Sequence, residues 1–152
     1  MNDKKRIENK ELLDAFINKV GGLHDALVHE AMLLNTGYVD LAGSMFGDVD
    51  LPNARLVIQS QFDDVIGVEL DLKEVSIFNL CFTRDFRLEG EMLQDAIVLY
   101  PYGKENAEKG QLRAKSASYR ILGIESRGPK FTLSSICEDD FTDDERQVVS
   151  EE

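Results

Sequence analysis

The sequence predicts an α+β protein that is mostly β. One N-terminal helix packs on a large antiparallel sheet, or on a two-layer, sandwich-like meander, and an acidic tail follows. Three observations carry this expectation. A clear helical stripe of apolar residues appears only near the start of the chain. From Tyr38 onward the apolar residues alternate with a period of two. Clusters of Gly, Asn, Asp and Pro separate the alternating stretches.

The helix is expected from about Asn9 to Val20. Leu12, Leu13, Phe16, Ile17 and Val20 fall on one stripe, Asn9 suits the N-cap, and Gly21-Gly22 ends the run. The next stretch, "LHDALVHEAMLL", fits a helical face only in part. As a strand from about Ala26 it places Ala26, Val28, Met32 and Leu34 on one side and Leu27, Ala31 and Leu33 on the other, with Glu30 as the exception. That pattern suits a strand buried on both faces or covered by the helix, and "NTG" then turns it into a strand over 38–46.

Three later stretches alternate cleanly. Ala54, Leu56, Ile58 and Phe62 oppose Arg55, Gln59 and Gln61; Ile66, Val68, Leu70 and Leu72 oppose Glu69 and Asp71; Phe86, Leu88 and Met92 oppose Arg87, Glu89 and Glu91. One greasy and one wet face is the mark of an antiparallel sheet. Further strands are expected at 74–82, 95–101, 117–126 and 130–137, with Asp63-Asp64 as a tight turn or a bulge.

A chain of 152 residues, 43% hydrophobic and 30% charged, is one ordinary globular domain, expected over 1–137 with the tail at 138–152. The first residues lack the apolar core of a signal peptide, and no apolar run nears the ~20 residues of a membrane span, so a cytoplasmic protein with no membrane partner is expected. Cys81 and Cys137 form no disulfide framework and read as two buried, reduced thiols.

The formal charge of −12 is uneven: residues 40–103 carry −8, residues 104–130 carry +4 and residues 131–152 carry −7. An acidic surface repels a phosphate backbone, which argues against a nucleic-acid partner and allows a basic protein partner. The acidic tail is expected to be solvated, and the net-positive segment 104–130 can hold it only loosely, because exposed pairs are each worth only ~0–1 kcal/mol.

Candidate chemistry is sparse. His24 and His29 are five residues apart, so they point to opposite faces of a strand or ~140° apart on a helix. Only Asp25 with His29 keeps a same-face spacing, and two ligands do not make a metal site. His24 and Asp25 are read as ties to the backbone where the chain approaches its first strand. Cys81 lies between Leu80 and Phe82, where a thiol is inert. Tyr100, Tyr102 and Tyr119 with Arg113, Lys115 and Arg120 form a mildly basic aromatic region without an RNA-binding signature. No phosphate-binding glycine loop and no nucleophile elbow is present, and no cofactor is expected. Glu69, Asp71, Glu89 and Glu91 can converge across two strands as an acid/base pair or as a partner-binding surface, but they suit a plain solvent face better.

The pattern "GGLHDALVHEAML", an alternating strand, then "LVIQSQFDDVIGVEL" resembles a loose group of small bacterial proteins with an N-terminal helix and an antiparallel sheet. Several members are either uncharacterised or immunity proteins of contact-dependent or polymorphic toxin systems. The matching positions are Leu23, His24, Asp25 and Ala26, then Phe62 and Val65. The strands at 74–93 and the acidic tail depart from the group, and no catalytic residues carry over. The resemblance implies a non-enzymatic binding protein, an inhibitor whose acidic surface meets a basic toxin. The alternatives are a small-molecule-binding or hydrolytic domain using the sheet-face carboxylates, and a self-associating domain that dimerises through a sheet edge.

Overall fold

The structure, a computed structural model, describes residues 3–35, 37–46, 51–61, 65–81 and 86–129. The expected strand at 130–137, the Asp63-Asp64 turn and the tail at 138–152 lie outside the described residues.

The elements run β1 (Lys5–Arg6), α1 (Lys10–Lys19), β2 (Leu27–Leu34), β3 (Tyr38–Val39), β4 (Met45–Phe46), β5 (Asn53–Gln59), β6 (Gly67–Asn79), β7 (Glu89–Met92), β8 (Ile97–Tyr100) and β9 (Gln111–Leu122). Seven strands form one sheet in the order β2-β5-β6-β9-β8-β7, with β1 paired to β9, and each of these ladders is antiparallel. The domain is therefore α+β and mostly β. Among the described residues no helix is long and apolar enough to cross a membrane.

The helix forms where its stripe predicts. Asn9 accepts a hydrogen bond from the Leu12 amide at 2.8 Å, and Gly21 and Gly22 take φ of 61° and 65° beyond Val20. Leu13 and Phe16 are fully buried, and the Phe16 ring lies 4.3 Å from that of Tyr119 on β9. Asn9→Ala removes the acceptor for an otherwise unpaired amide, so urea unfolding should show a loss of about 1 kcal/mol, and Asn9→Ser should recover most of it.

Register fixes the two faces of the sheet. Ala54, Leu56 and Ile58 pair with Leu72, Leu70 and Val68, which pair in turn with Ala117, Tyr119 and Ile121. These rows face α1 and make the core with Leu13, Phe16 and Leu23. The odd rows, Arg55–Asp71–Ser118 and Val57–Glu69–Arg120, lie on the opposite face.

Four expectations about the strands are corrected. β2 is an edge strand, not one buried on both faces: Leu27 is 55% and Leu33 51% exposed. A bulge between Val28 and Glu30 also reverses the parity, so Val28 lines up with Ala31 and Leu33, opposite Ile58, Leu56 and Ala54, and of the three only Val28 packs against the core. The stretch 38–46 is not one strand. It is a separate two-stranded hairpin of β3 and β4. The stretches around 66–72 and 74–82 fuse into the 13-residue β6, which bends at Glu74, where φ is 53°. Asn53 Oδ1 accepts from the Glu74 amide and the Pro52 carbonyl from the Val75 amide, which holds that bend. Finally, β9 begins at Gln111, six residues before the expected strand, because pairing with both β6 and β8 carries the polar "QLRAKSAS" into the sheet.

Candidate functional site

The far face of the central strands carries a buried ionic cluster. Side chains of Arg55, Glu69, Asp71 and Arg120 come together because register sets Arg55 opposite Asp71 and Glu69 opposite Arg120. Lys4 reaches in from the residue before β1. Arg55 Nε donates to Asp71 Oδ1 at 2.6 Å and its second nitrogen, Nη2, to Oδ2 at 3.3 Å. Lys4 Nζ lies 2.6 Å from Asp71 Oδ2, and Arg120 Nε donates to Glu69 Oε2 at 2.6 Å. Glu69 Oε1 is buried and receives no hydrogen bond: Arg55 Nε, 3.2 Å away, is aimed at Asp71 instead.

Glu69 therefore has an unusual balance. Burial raises its proton affinity above the ordinary carboxylate value, and the neighbouring Asp71 charge raises it further, against the pull of Arg55, Arg120 and Lys4. Between the unfolded and folded titration points the native state holds a proton that the unfolded state has lost. Stability contributed by Glu69 thus falls as pH rises through that window. In urea titrations from about pH 4 to pH 7, the stability of the parent relative to Glu69→Gln should decline with rising pH. A difference that stays flat or rises would contradict the assignment.

Beside the cluster lies an open trough of about 490 Å³. Its wall holds four cations, Lys4, Arg6, Arg55 and Lys73, against one acid, Asp71. Ser116 and Ser118 of β9 add hydroxyl groups. In a chain of net charge −12 this is a local inversion of sign.

The four carboxylates singled out from the sequence do not converge. Glu69 and Asp71 sit on β6, whereas Glu89 and Glu91 sit on β7, three strands away, or about 14 Å at the usual strand spacing. Glu91 accepts from the Tyr100 hydroxyl at 2.7 Å and from Lys104 Nζ at 2.9 Å. These bonds lower its proton affinity, and the same contact pushes the Tyr100 phenol up to about 12. Glu89 accepts from the Lys104 amide. Glu69 and Asp71 form no solvent face, because three cations neutralise them from above.

His24 Nδ1 lies 3.1 Å from Asp25 Oδ2, and the Asp25 amide donates to the Phe86 carbonyl, which ties the turn to the segment before β7. His29 Nε2 faces Glu30 Oε1 at 3.6 Å. The bulge at His29 breaks the even spacing that would place it with Asp25. Among the described residues no group of three or more His, Cys, Asp and Glu side chains is placed to hold a metal ion. Cys81 is exposed rather than buried, because β6 ends at Asn79 and the thiol lies beyond the last paired residue. Cys137 lies outside the described residues. Tyr100, Tyr102 and Tyr119 are buried, with Tyr102 edge-on to Phe86 and Tyr119 against Phe16, so they offer no stacking platform.

A second feature stands apart from the ionic face. In the β3–β4 hairpin Tyr38 and Phe46 stack at 5.2 Å, and Asp40 Oδ1 accepts from the Ala42 and Ser44 amides at 2.9 and 2.8 Å. Gly43 supplies the positive φ, 87°, that closes the turn. The hairpin is well made, yet Val39 (62%), Met45 (65%) and Phe46 (49%) are exposed and Leu41 is wholly so. The sequence reading missed both the hairpin and the cations Lys4, Arg6, Arg55 and Lys73. The available signal for Arg55 was its position on the polar rows of β5. No pattern indicated that β1 would bring Lys4 beside it.

This architecture defines the class of the protein: a helix-on-sheet α+β domain with an ionic outer face and a projecting apolar hairpin. No family model, no curated protein and no solved structure matches the chain.

Proposed function

We propose that the protein is a non-enzymatic protein-binding domain, and that the β3–β4 hairpin is its docking element. The observation that carries this reading is the contiguous exposure of Val39, Leu41, Met45 and Phe46 on a turn that its own hydrogen bonds hold in shape. Exposed apolar clusters on an ordered support mark protein contacts, and a preformed hairpin loses little freedom on binding. The partner is a basic protein, in the form of a bacterial toxin neutralised by an immunity-like inhibitor. The charge of −12 supports that choice by speeding the encounter, while the hairpin side chains would supply the hold.

The test is co-purification from the native host with the parent and with a Leu41→Asp/Phe46→Asp variant. A basic protein retained by the parent and lost from the folded variant supports the reading. Identical retention by both overturns it. Sedimentation of the two chains checks the competing occupant, since a parent dimer that the variant abolishes would show that the hairpin meets a second copy instead.

A further inference from the structure

We propose that the cationic trough on the ionic face is the docking site of the chain's own acidic C-terminal segment, residues 138–152. This does not depend on the role of the hairpin.

Three observations converge. The first is charge. The trough sets Lys4, Arg6, Arg55 and Lys73 against Asp71, and Arg6 and Lys73 are exposed. The segment 138–152, "EDDFTDDERQVVSEE", holds eight acids and one arginine. The second is where the described chain ends. After β9 the backbone turns over the ionic face. Gln59 Nε2 donates to the Ser126 and Gly128 carbonyls at 2.8 and 3.2 Å, and an Arg127 guanidinium nitrogen donates to the Ser60 carbonyl at 3.1 Å. Gly67 permits this, because a Cβ there would stand 2.8 Å from Ser126 Oγ. The chain therefore leaves Pro129 on the trough side of the sheet.

The third is reach. From Gln59 to Arg55 along β5 is about 13 Å, at ~3.3 Å per residue. Eight residues lie between Pro129 and Glu138, and the nine steps they make span about 30 Å when extended. The acids can reach every cation of the trough. Pairing does not separate the trough from the lysines of segment 104–130, the counter-charge suggested by sequence alone: Lys104 pairs with Glu91 and Lys115 with Glu74, as Lys4 pairs with Asp71 and Arg6 with Glu8. The side of the sheet on which the described chain ends favours the trough. Tethering raises the local concentration of the acids to the millimolar range, so several weak pairs suffice at low salt, and screening removes them at high salt.

The test uses the full chain and a zero-length carbodiimide, which joins a lysine amine to a carboxylate in contact with it. Peptide mapping of the monomer should show Lys4 or Lys73 joined to carboxylates of 138–152, and these links should vanish in about 1 M salt. In a Lys73→Glu/Arg6→Glu variant with unchanged circular dichroism, the Lys4 link should weaken. A synthetic peptide of residues 138–152 should bind a Glu138→Gln/Asp139→Asn/Asp140→Asn chain about tenfold more tightly than the parent, because the parent's own segment competes. Tail links confined to Lys104, Lys109 or Lys115, links between two copies, or equal peptide affinity for both chains would each overturn the proposal.

Discussion

Arg55→Ala should destabilise the protein by about 3–5 kcal/mol, the range for breaking a buried ion pair from one side. The Arg55 side chain is only 8% exposed, and it bridges Asp71 in a two-point contact while lying 3.2 Å from Glu69. Without it, two carboxylates lie two residues apart on one face of β6 with only Lys4 and Arg120 to balance them. Against the ~5–15 kcal/mol total of an ordinary domain, that is a large share. Thermal unfolding should move down by roughly 2–4 °C for each kcal/mol. The companion result separates charge from packing. Replacing Arg55 together with Glu69, Asp71 and Arg120 by apolar residues of similar size should recover most of the loss, since the one cation of the cluster that remains, Lys4, is partly exposed to water. A loss equal to that of Arg55→Ala would show that packing, not charge, dominates.

Phe16→Ala should cost a similar ~3–5 kcal/mol for a different reason. Phe16 has no exposed surface, and its ring meets Tyr119 at an interplanar angle of 41°. Truncation removes the transfer free energy of the ring and leaves a cavity between α1 and β9, which a helix anchored by Leu13 can close only in part. Urea midpoints measured beside Ile17→Ala give the contrast: Ile17 is only partly buried against the core, so its loss should be clearly smaller. Equal losses at the two positions would mean that the helix does not rest on the sheet through Phe16.

Much of the sheet was legible because burial writes itself into alternation. Ala54, Leu56 and Ile58 on β5, and Val68, Leu70 and Leu72 on β6, read correctly as one face because each strand has one greasy side. The misreadings share a cause. At His29 one extra residue reversed the parity of β2, and at Glu74 a left-handed residue bent a strand that alternation alone divides in two. Gln111–Ser116 carried too few apolar side chains to register as a strand, and it was drawn into the sheet by partners on both sides.

The candidate sites were less legible than the fold. Glu69 and Asp71 stood out as residues of a wet face, but wetness was the wrong inference: Glu69 is among the most buried side chains of the molecule. Nothing in the local spacing distinguishes an exposed carboxylate from one under guanidinium cover. The difference arises only when Arg55 from β5, Arg120 from β9 and Lys4 from the start of the chain arrive over β6.

By itself the sequence determined the helix and its caps, the alternating strands and the acidic character of the chain, because period, capping and charge are properties of neighbours along the backbone. The order of the strands, the edge position of β2, the ion cluster and the trough were decided only by tertiary structure. Each depends on register between segments far apart in the chain, here 51 residues in the case of Glu69 and Arg120. Long-range pairing is selected by the free energy of the whole packed sheet, and no single stretch carries that information.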